Sequence, residues 1–281
     1  MKTSISKSIL LLFSIFLFSN LLAQESYVLQ YKYLKGSTYR YKSVANFSST
    51  QEMAGQEMKV TGSTESVSRI DIDKVAANGD FTIIYSYDDM KVTTKAAGYD
   101  TTMVQKELIG KRTKYIFSNL GKELSSFAID SIKIGGEAMG MDLGSGTNQK
   151  FNELPGNKLS VGGKWSVNKQ DTVAIGGGSM LTKASVEYVL VGKEMKNGHN
   201  CLRIDYTSKL EMGGKMNQMG MDMFIEGTGN TKGSVWFDQA KGIWISDESE
   251  VDTDMTIAMT GQMAMTIPMT QKVKTVQNII E

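Results

Sequence analysis

The chain has one cysteine, one histidine and two prolines in 281 residues. A single cysteine excludes an intramolecular disulfide framework. One histidine beside one cysteine removes most zinc, copper and nucleophile–base arrangements. Cys201 follows the Asn197-Gly198 turn and alternates with Leu202, the pattern of a small buried hydrophobe, and His199 sits at the turn itself. Charge of one sign is missing too. With 31 basic and 30 acidic residues the net charge is +1, so there is no basic field for nucleic acid and no polybasic arm for anionic lipid. The glycines spell no phosphate loop: Gly176-Gly177-Gly178-Ser179 lacks the Lys-Ser/Thr ending, and Gly135-Gly136 fails likewise. No Gly-x-Ser-x-Gly elbow accompanies His199. No catalytic residue, metal ligand or cofactor is expected.

Long apolar runs are confined to the start. Met1 to Lys7 is basic, Ile9 to Phe18 is apolar, and Ala23 offers a small residue for cleavage, the layout of a signal peptide over residues 1–23. The apolar core is too short for a spanning helix, and no later segment could cross a membrane as one. This predicts an exported protein, periplasmic or at the cell surface. Losing Lys2 and Lys7 brings the charge from +1 to about −1.

Period-2 alternation rich in Val, Ile, Thr, Tyr and Phe fills the rest, and helical periodicity is nearly absent. The fold class is therefore all-β, an antiparallel meander of long hairpins. Tyr27 to Tyr33 reads as a strand turned by Lys35-Gly36. Asn78-Gly79 and Asn197-Gly198 predict type I′ hairpins. Apart from Gly135 to Gly156, which reads as a loop or short helix, only Val104 to Gly110 admits a helical turn. Met53-Ala54-Gly55-Gln56, Met212-Gly213-Gly214-Lys215 and Met259-Thr260-Gly261-Gln262 read as three hairpin tips. Centring the last on Gly261 sets Glu248 and Glu250 opposite Lys274 and Lys272. Pro268 cannot donate to a ladder, so its strand is expected at an edge.

The two Asn-Gly hairpins superpose at an offset of 119, which carries Ser66, Lys74 and Tyr87 onto Ser185, Lys193 and Tyr206. Lys35-Gly36-Ser37-Thr38-Tyr39 resembles Gly162-Gly163-Lys164-Trp165. An internal duplication follows: half one at 24–134, a Gly-rich connector at 135–157 and half two at 158–281, forming curved sheets or an incomplete barrel.

Ten of 19 methionines fall between 212 and 269. Met219, Met221 and Met223 alternate, as do Met263 and Met265. With Trp236 these six are the candidate ligand-binding residues of a flexible apolar groove. Soft thioethers would also suit Cu(I), but such sites need help from His or Cys, which lie elsewhere. The acidic row Glu248, Glu250, Asp252 and Asp254 reads as a solvated strand face, since a flat ladder spreads carboxylates that calcium needs converging. Three Asp-Ser/Thr-apolar or Asp-Thr-Thr triplets, at Thr101, Ser131 and Thr172, are similar to bacterial O-glycosylation acceptors.

Gly-Ser-Val-Trp-Phe-Asp-Gln-Ala-Lys-Gly-Ile-Trp (233–244) and Tyr-Lys-Tyr-Leu-Lys-Gly-Ser-Thr-Tyr-Arg-Tyr (31–41) carry a resemblance to a family of secreted bacterial β-proteins grouped as a domain of unknown function. More distantly the meander is similar to the lipoprotein-carrier (LolA-like) fold. That resemblance implies an open, curved sheet whose apolar concave face takes acyl chains, although this chain lacks lid helices and is longer. The expected function is a non-enzymatic exported β-protein that binds an apolar, lipid-like ligand or an envelope protein. The alternatives are a structural module with a packed interior, a carboxylate-based hydrolase and a Met-rich copper binder.

Overall fold

The structure, a computed structural model, describes residues 25–53, 55–131, 133–134, 141–142, 151–175, 178–218, 221–260 and 264–280. Residues 1–23, where a signal peptide is expected, lie outside them. Among the described residues there are strands and no helix: β1 (Ser26–Tyr27), β2 (Thr38–Met53), β3 (Gln56–Val75), β4 (Phe81–Ala96), β5 (Tyr99–Val104), β6 (Thr113–Phe117), β7 (Glu123–Ala128), β8 (Lys133–Ile134), β9 (Met141–Asp142), β10 (Leu159–Ser160), β11 (Lys164–Ile175), β12 (Gly178–Lys196), β13 (His199–Gln218), β14 (Met221–Asp238), β15 (Ile243–Met259) and β16 (Met265–Ile280). The all-β antiparallel meander is as the alternation dictates. The 104–110 segment makes a single turn, with Ile109 N–H donating to the Gln105 carbonyl at 3.3 Å.

One sheet takes up twelve of these strands, in the order β11-β12-β13-β14-β15-β16-β2-β3-β4-β6-β7, with β5 beside β4. It does not close. The last strand, β16, pairs with the first long one, β2, from Met269↔Gln51 to Ile280↔Arg40. The two halves are thereby one sheet. They repeat the same local geometry. Gly36 N–H donates to the Ile72 carbonyl at 2.9 Å and Ile72 N–H to Ser37 at 2.9 Å; Gly162 donates to Leu190 at 2.8 Å and Leu190 to Gly163 at 3.0 Å. Gly36 and Gly162 hold φ of +83° and +84°, a turn conformation that a Cβ disfavours.

Alternation gives the sheet two faces. On one, here face A, the cross-strand rows at one end are aromatic and aliphatic: Tyr41, Ile70, Ile83, Tyr115, Tyr188, Leu202, Ile204 and Phe237 are all buried. Two extended segments pack against them. Residues 26–34 bury Tyr27, Leu29, Tyr31 and Tyr33 while Val28 and Leu34 stay exposed. This was expected as a strand, but only Ser26 and Tyr27 pair, with Ser160 and Leu159. The rest is a strap crossing the sheet, tied by Tyr31 N–H to the Asn119 carbonyl at 2.8 Å and Lys32 N–H to the Gly242 carbonyl at 3.0 Å. The second strap, residues 151–160, buries Phe151 and Leu154. Their rings interlock edge to face: Tyr31–Phe151 at 5.0 Å, Phe117–Phe151 at 4.6 Å and Tyr33–Phe81 at 4.8 Å, with the last tilted. Such pairs add about 0.5–1.5 kcal/mol beyond area burial. Gly121 lets the straps come this close. A Cβ there would lie 2.6 Å from the Tyr31 ring and 2.8 Å from the Asn152 carbonyl.

Several local expectations change. Asn197-Gly198 is the I′ turn foreseen, with φ of +49° and +79°. At the other hairpin only Gly79 has positive φ, and Gly79 N–H donates to the Ala76 carbonyl at 2.9 Å. The longer Ala76–Asp80 loop makes a type I turn followed by a left-handed Gly, the alternative that extra loop length selects. Met212-Gly213-Gly214-Lys215 is no tip: β13 runs through it, paired with β12 and β14 on its two sides. The tip there falls at Gln218↔Met221. Glu250 pairs with Lys274 and Asp252 with Lys272, a shift from the expected register. β16 is central, not an edge. Its pairing with β2 begins at Met269, however, so Pro268 sits where β16 has β15 alone as partner.

Replacing Phe151, 2% exposed, by Ala is expected to cost about 3–5 kcal/mol. Phe224→Ala, at a site 40% exposed, is expected to cost well under half of that. Urea unfolding of both variants checks this, and equal costs would contradict the strap packing. Gly121→Ala is expected to destabilise by more than about 1 kcal/mol through both its positive φ and the strap contacts.

Candidate functional site

Three features stand out once the faces are assigned. The first is a polar network on face A where the second strap meets the sheet. Asp247 on β15 accepts from the Tyr206 hydroxyl at 3.0 Å and from Asn152 Nδ2 at 3.2 Å. Asn152 also takes the Tyr31 hydroxyl on its carbonyl at 3.0 Å and the Tyr188 hydroxyl on Oδ1 at 3.4 Å. No cation joins this set among the described residues. Burial pushes the Asp247 carboxyl up to about 6, opposed by the Asn152 and Tyr206 hydrogen bonds. Trp165 stacks on Tyr188 at 4.9 Å and donates to the Glu153 carbonyl at 2.9 Å.

The second is a polar cluster at the β12–β13 tip. His199 Nδ1 lies 3.1 Å from Asp238 Oδ2, and Cys201 is buried two residues on. Burial and the Asp238 charge push the Cys201 thiol up to about 11. A thiol held protonated is a poor nucleophile.

The third is the largest cavity described, a groove of about 910 Å³ on the opposite face, face B, at the far end from the straps. Strands β12 to β16, β2 and β3 all reach it. Its side chains form cross-strand rows. One runs Leu181, Gly213, Glu226, Thr256, Pro268, and the next Lys183, Glu211, Thr228, Asp254, Thr270, Thr50. Glu52 and Glu57, which pair across the β2–β3 tip, complete the rim. Five carboxylates thus stand against the single Lys183 ammonium. None of the five makes an ion pair or hydrogen bond with another described residue. Nearer the middle of the strands the acids are matched: Glu250 to Lys232 at 2.8 Å and Lys274 at 2.6 Å, Asp252 to Lys272 at 3.2 Å, Glu248 to Lys196 at 2.6 Å. The two lysines hold Glu250 down to about 2. The acidic row therefore divides, its inner members solvated and paired, Asp254 turned into the groove.

Met223, Met265 and Trp236 do not line this groove. Met223 and Met265 lie on face A, joined through Met259 in one cross-strand row that also includes Met216. Met221 lies on β14 opposite Gln218. Met219 and Met263 are outside the described residues. Trp236 is at the other end of β14, buried on face B beneath Lys196, whose Nζ is 3.9 Å from the ring centroid. Sequence reading missed both Asp247 and the groove. Asp247 is out of phase with Glu248, Glu250, Asp252 and Asp254, so alternation puts it on the opposite face from that row; what the sequence does not show is that the second strap covers it there.

Asp247 gives a pH prediction. Its carboxyl ionises near 3.8 when unfolded and near 6 when folded. The folded state therefore binds more protons between these values, and stability falls as pH rises through that window. The loss is at most about 3 kcal/mol. Asp247→Asn is expected to remove it, so the variant gains on the parent by up to that amount between about pH 4 and pH 7. Urea unfolding at both pH values measures this; a constant difference would show that the carboxyl is not buried as described.

No protein-family model matches the chain, and no curated protein matches it. Seventeen solved chains do. OccK2 (OpdF) of Pseudomonas aeruginosa is 6% identical, with 88% of this chain and 100% of that one covered, at a TM-score of 0.31. OccK8 (OprE) is 8% identical over 88% and 100% at 0.24, and OccD3 (OpdP) is 7% identical over 88% and 93% at 0.25, both from the same organism. Nothing about this chain's activity or location follows from likenesses of that degree.

Proposed function

We propose that the protein is an exported, non-enzymatic envelope protein that holds an extended cationic ligand in the face B groove. Export rests on the basic start followed by the apolar stretch. The absence of turnover rests on a chain whose one cysteine is buried and protonated and whose one histidine is tied to Asp238. Binding rests on a single observation: a cavity of about 910 Å³ whose five carboxylates have no protein partner among the described residues, whereas Glu248, Glu250 and Asp252 on the same face are paired with lysines. Carboxylates held on neighbouring strands repel one another, and a cation between them relieves that repulsion. The threonine hydroxyls of Thr50, Thr228, Thr256 and Thr270 add hydrogen-bond acceptors and donors along the same rows.

Spermine and tetralysine are suitable probes in titration calorimetry. Binding is expected, weakening at least about tenfold between roughly 20 and 300 mM salt. The variant carrying Glu211→Gln, Glu226→Gln and Asp254→Asn is expected to lose about tenfold or more, whereas Glu107→Gln with Glu123→Gln, outside the groove, leaves it unchanged. Equal weakening by both variants would reduce the effect to general charge and sink the reading.

A second reading, an apolar or lipid-like ligand, is favoured by face A at the same end. There the rows Met216, Met223, Met259, Met265 and Ile225, Ile257, Ile267 lie side by side, and all but Met216 are half-buried rather than buried. Native mass spectrometry of the protein purified without detergent tests it. Bound lipid would support it, and an apo mass throughout would not.

A further inference from the structure

We propose that the cavity where the first strap meets the β14–β15 turn is a binding site for a small organic acid, one carboxylate on an apolar body. The cavity measures about 700 Å³, within the range of small-molecule sites. Lys32 and Leu34 of the strap, Tyr39 of β2, His199 of β13, and Lys241 and Ile243 beyond β14 line it. It lies at the strap end and shares no residue with the face B groove.

Asp238, buried at the end of β14, builds the site from behind. Its Oδ1 accepts the Lys241 backbone N–H at 3.0 Å and its carbonyl accepts the Gly242 N–H at 2.7 Å, which closes the turn that carries Lys241. Its Oδ2 lies 3.1 Å from His199 Nδ1, which leaves Nε2 as the free ring nitrogen. Both carboxylate oxygens are thereby engaged. The strap is fastened to the same turn. Lys32 Nζ donates to the Gln239 carbonyl at 3.0 Å, and Gln239 Nε2 donates to the Val28 carbonyl at 3.1 Å. The wall residues are therefore fixed relative to one another by a buried acid and a set of backbone bonds, independently of any ligand.

The charge of the lining is one-sided. Lys32 and Lys241 bring two ammonium groups to one cavity, and no carboxylate lines it among the described residues. Lys241 Nζ has no partner among those residues, and Lys32 Nζ has a neutral carbonyl alone. Like charges across a cavity repel, and an anion between them relieves that repulsion. The remaining wall is apolar: Leu34, Ala240, Ile243 and Ile279. Leu34 is 72% exposed, so an apolar body laid against it removes hydrocarbon surface from water. A compact anion such as phosphate would leave that wall unfilled. Arginine forks and helix N-termini, the usual holders of phosphate, are also missing from the lining. A carboxylate with an apolar tail uses both the lysines and the wall. Glu281, which follows β16, lies outside the described residues and enters the test.

The chain has one histidine, so the imidazole of His199 is a single NMR reporter inside this cavity. The whole chain, without a histidine tag, is titrated with butyrate, hexanoate and octanoate while the imidazole signals are followed. A saturable shift is expected, tightening about threefold to fourfold per added methylene. Hexanol, which has the body without the charge, and inorganic phosphate, which has charge without the body, are each expected to bind at least about tenfold more weakly than hexanoate. Lys241→Gln removes an ammonium that has no protein partner among the described residues, and is expected to weaken hexanoate at least about fivefold. Leu34→Ser, at an exposed position, is expected to lower the gain per methylene to about twofold. Lys59→Gln with Lys106→Gln, outside the cavity, leaves both quantities unchanged. Equal binding of hexanol and hexanoate overturns the proposal, as does hexanoate binding that is unaltered by Lys241→Gln and Leu34→Ser together. Binding that appears only after Glu281→Gln overturns it too, because the cavity's anion would then be the chain's own. Octanoate that binds without moving the His199 signals sits elsewhere, such as on the Met and Ile rows of face A, and likewise overturns it.

Discussion

The interlocked rings of the two straps are what the sheet is folded around. A meander of long hairpins has an apolar face and no helix to cover it. Here the chain covers one end with its own extended segments. Tyr31, Tyr33 and Phe151 fill the space that Tyr41, Phe81, Phe117 and Phe237 enclose. Because the straps are not themselves paired along their length, their backbone groups are satisfied by single bonds to turns, such as Tyr31 to Asn119 and Lys32 to Gly242. One of those turns follows β6 and the other follows β14. The plug thus ties together strands from well-separated places in the sheet order.

Strand identity was legible because alternation survives twist. Register and tip positions were less so. Met212-Gly213-Gly214 looks like a turn, yet these glycines lie in mid-strand, and a Cβ at Gly214 would come within 2.7 Å of the Ser179 carbonyl. Glycine marks close backbone approach as readily as it marks a turn, and sequence alone does not separate the two. The Asn-Gly pairs show the same limit: one makes the I′ turn and one does not, because the flanking register sets the loop length. Pro268 carried true information about a missing hydrogen-bond partner, but over four residues of a strand that is central elsewhere.

The candidate site was hidden for a related reason. Its carboxylates, Glu52, Glu57, Glu211, Glu226 and Asp254, come from five strands, β2, β3, β13, β14 and β15, and each is an ordinary outward-facing residue in its own segment. Only the ladder aligns them. The methionines, by contrast, attracted notice through local density, and the ladder does gather Met223 and Met265 into one row while leaving Trp236 at the opposite end of its strand and on the other face. Density in sequence predicted a patch, whereas composition of the cross-strand rows decided which face was acidic and which apolar.

The groove and the plug have a common cause. A strongly twisted sheet is saddle-shaped, so a face that is concave along one diagonal is convex along the other. At the strap end face A wraps inward around the rings. At the far end, some 16 to 20 residues along β2, β3 and β13, face B is the concave one and seven strands converge on the carboxylates. The inward acid Asp247 sits near the strap end, where only neutral donors meet it, and the outward acids Glu250 and Asp252 sit at the crossing, where lysines from neighbouring strands can reach them. Beyond the crossing the strands bring acids together faster than they bring bases. The uncompensated charge at that end is therefore a property of the register as a whole.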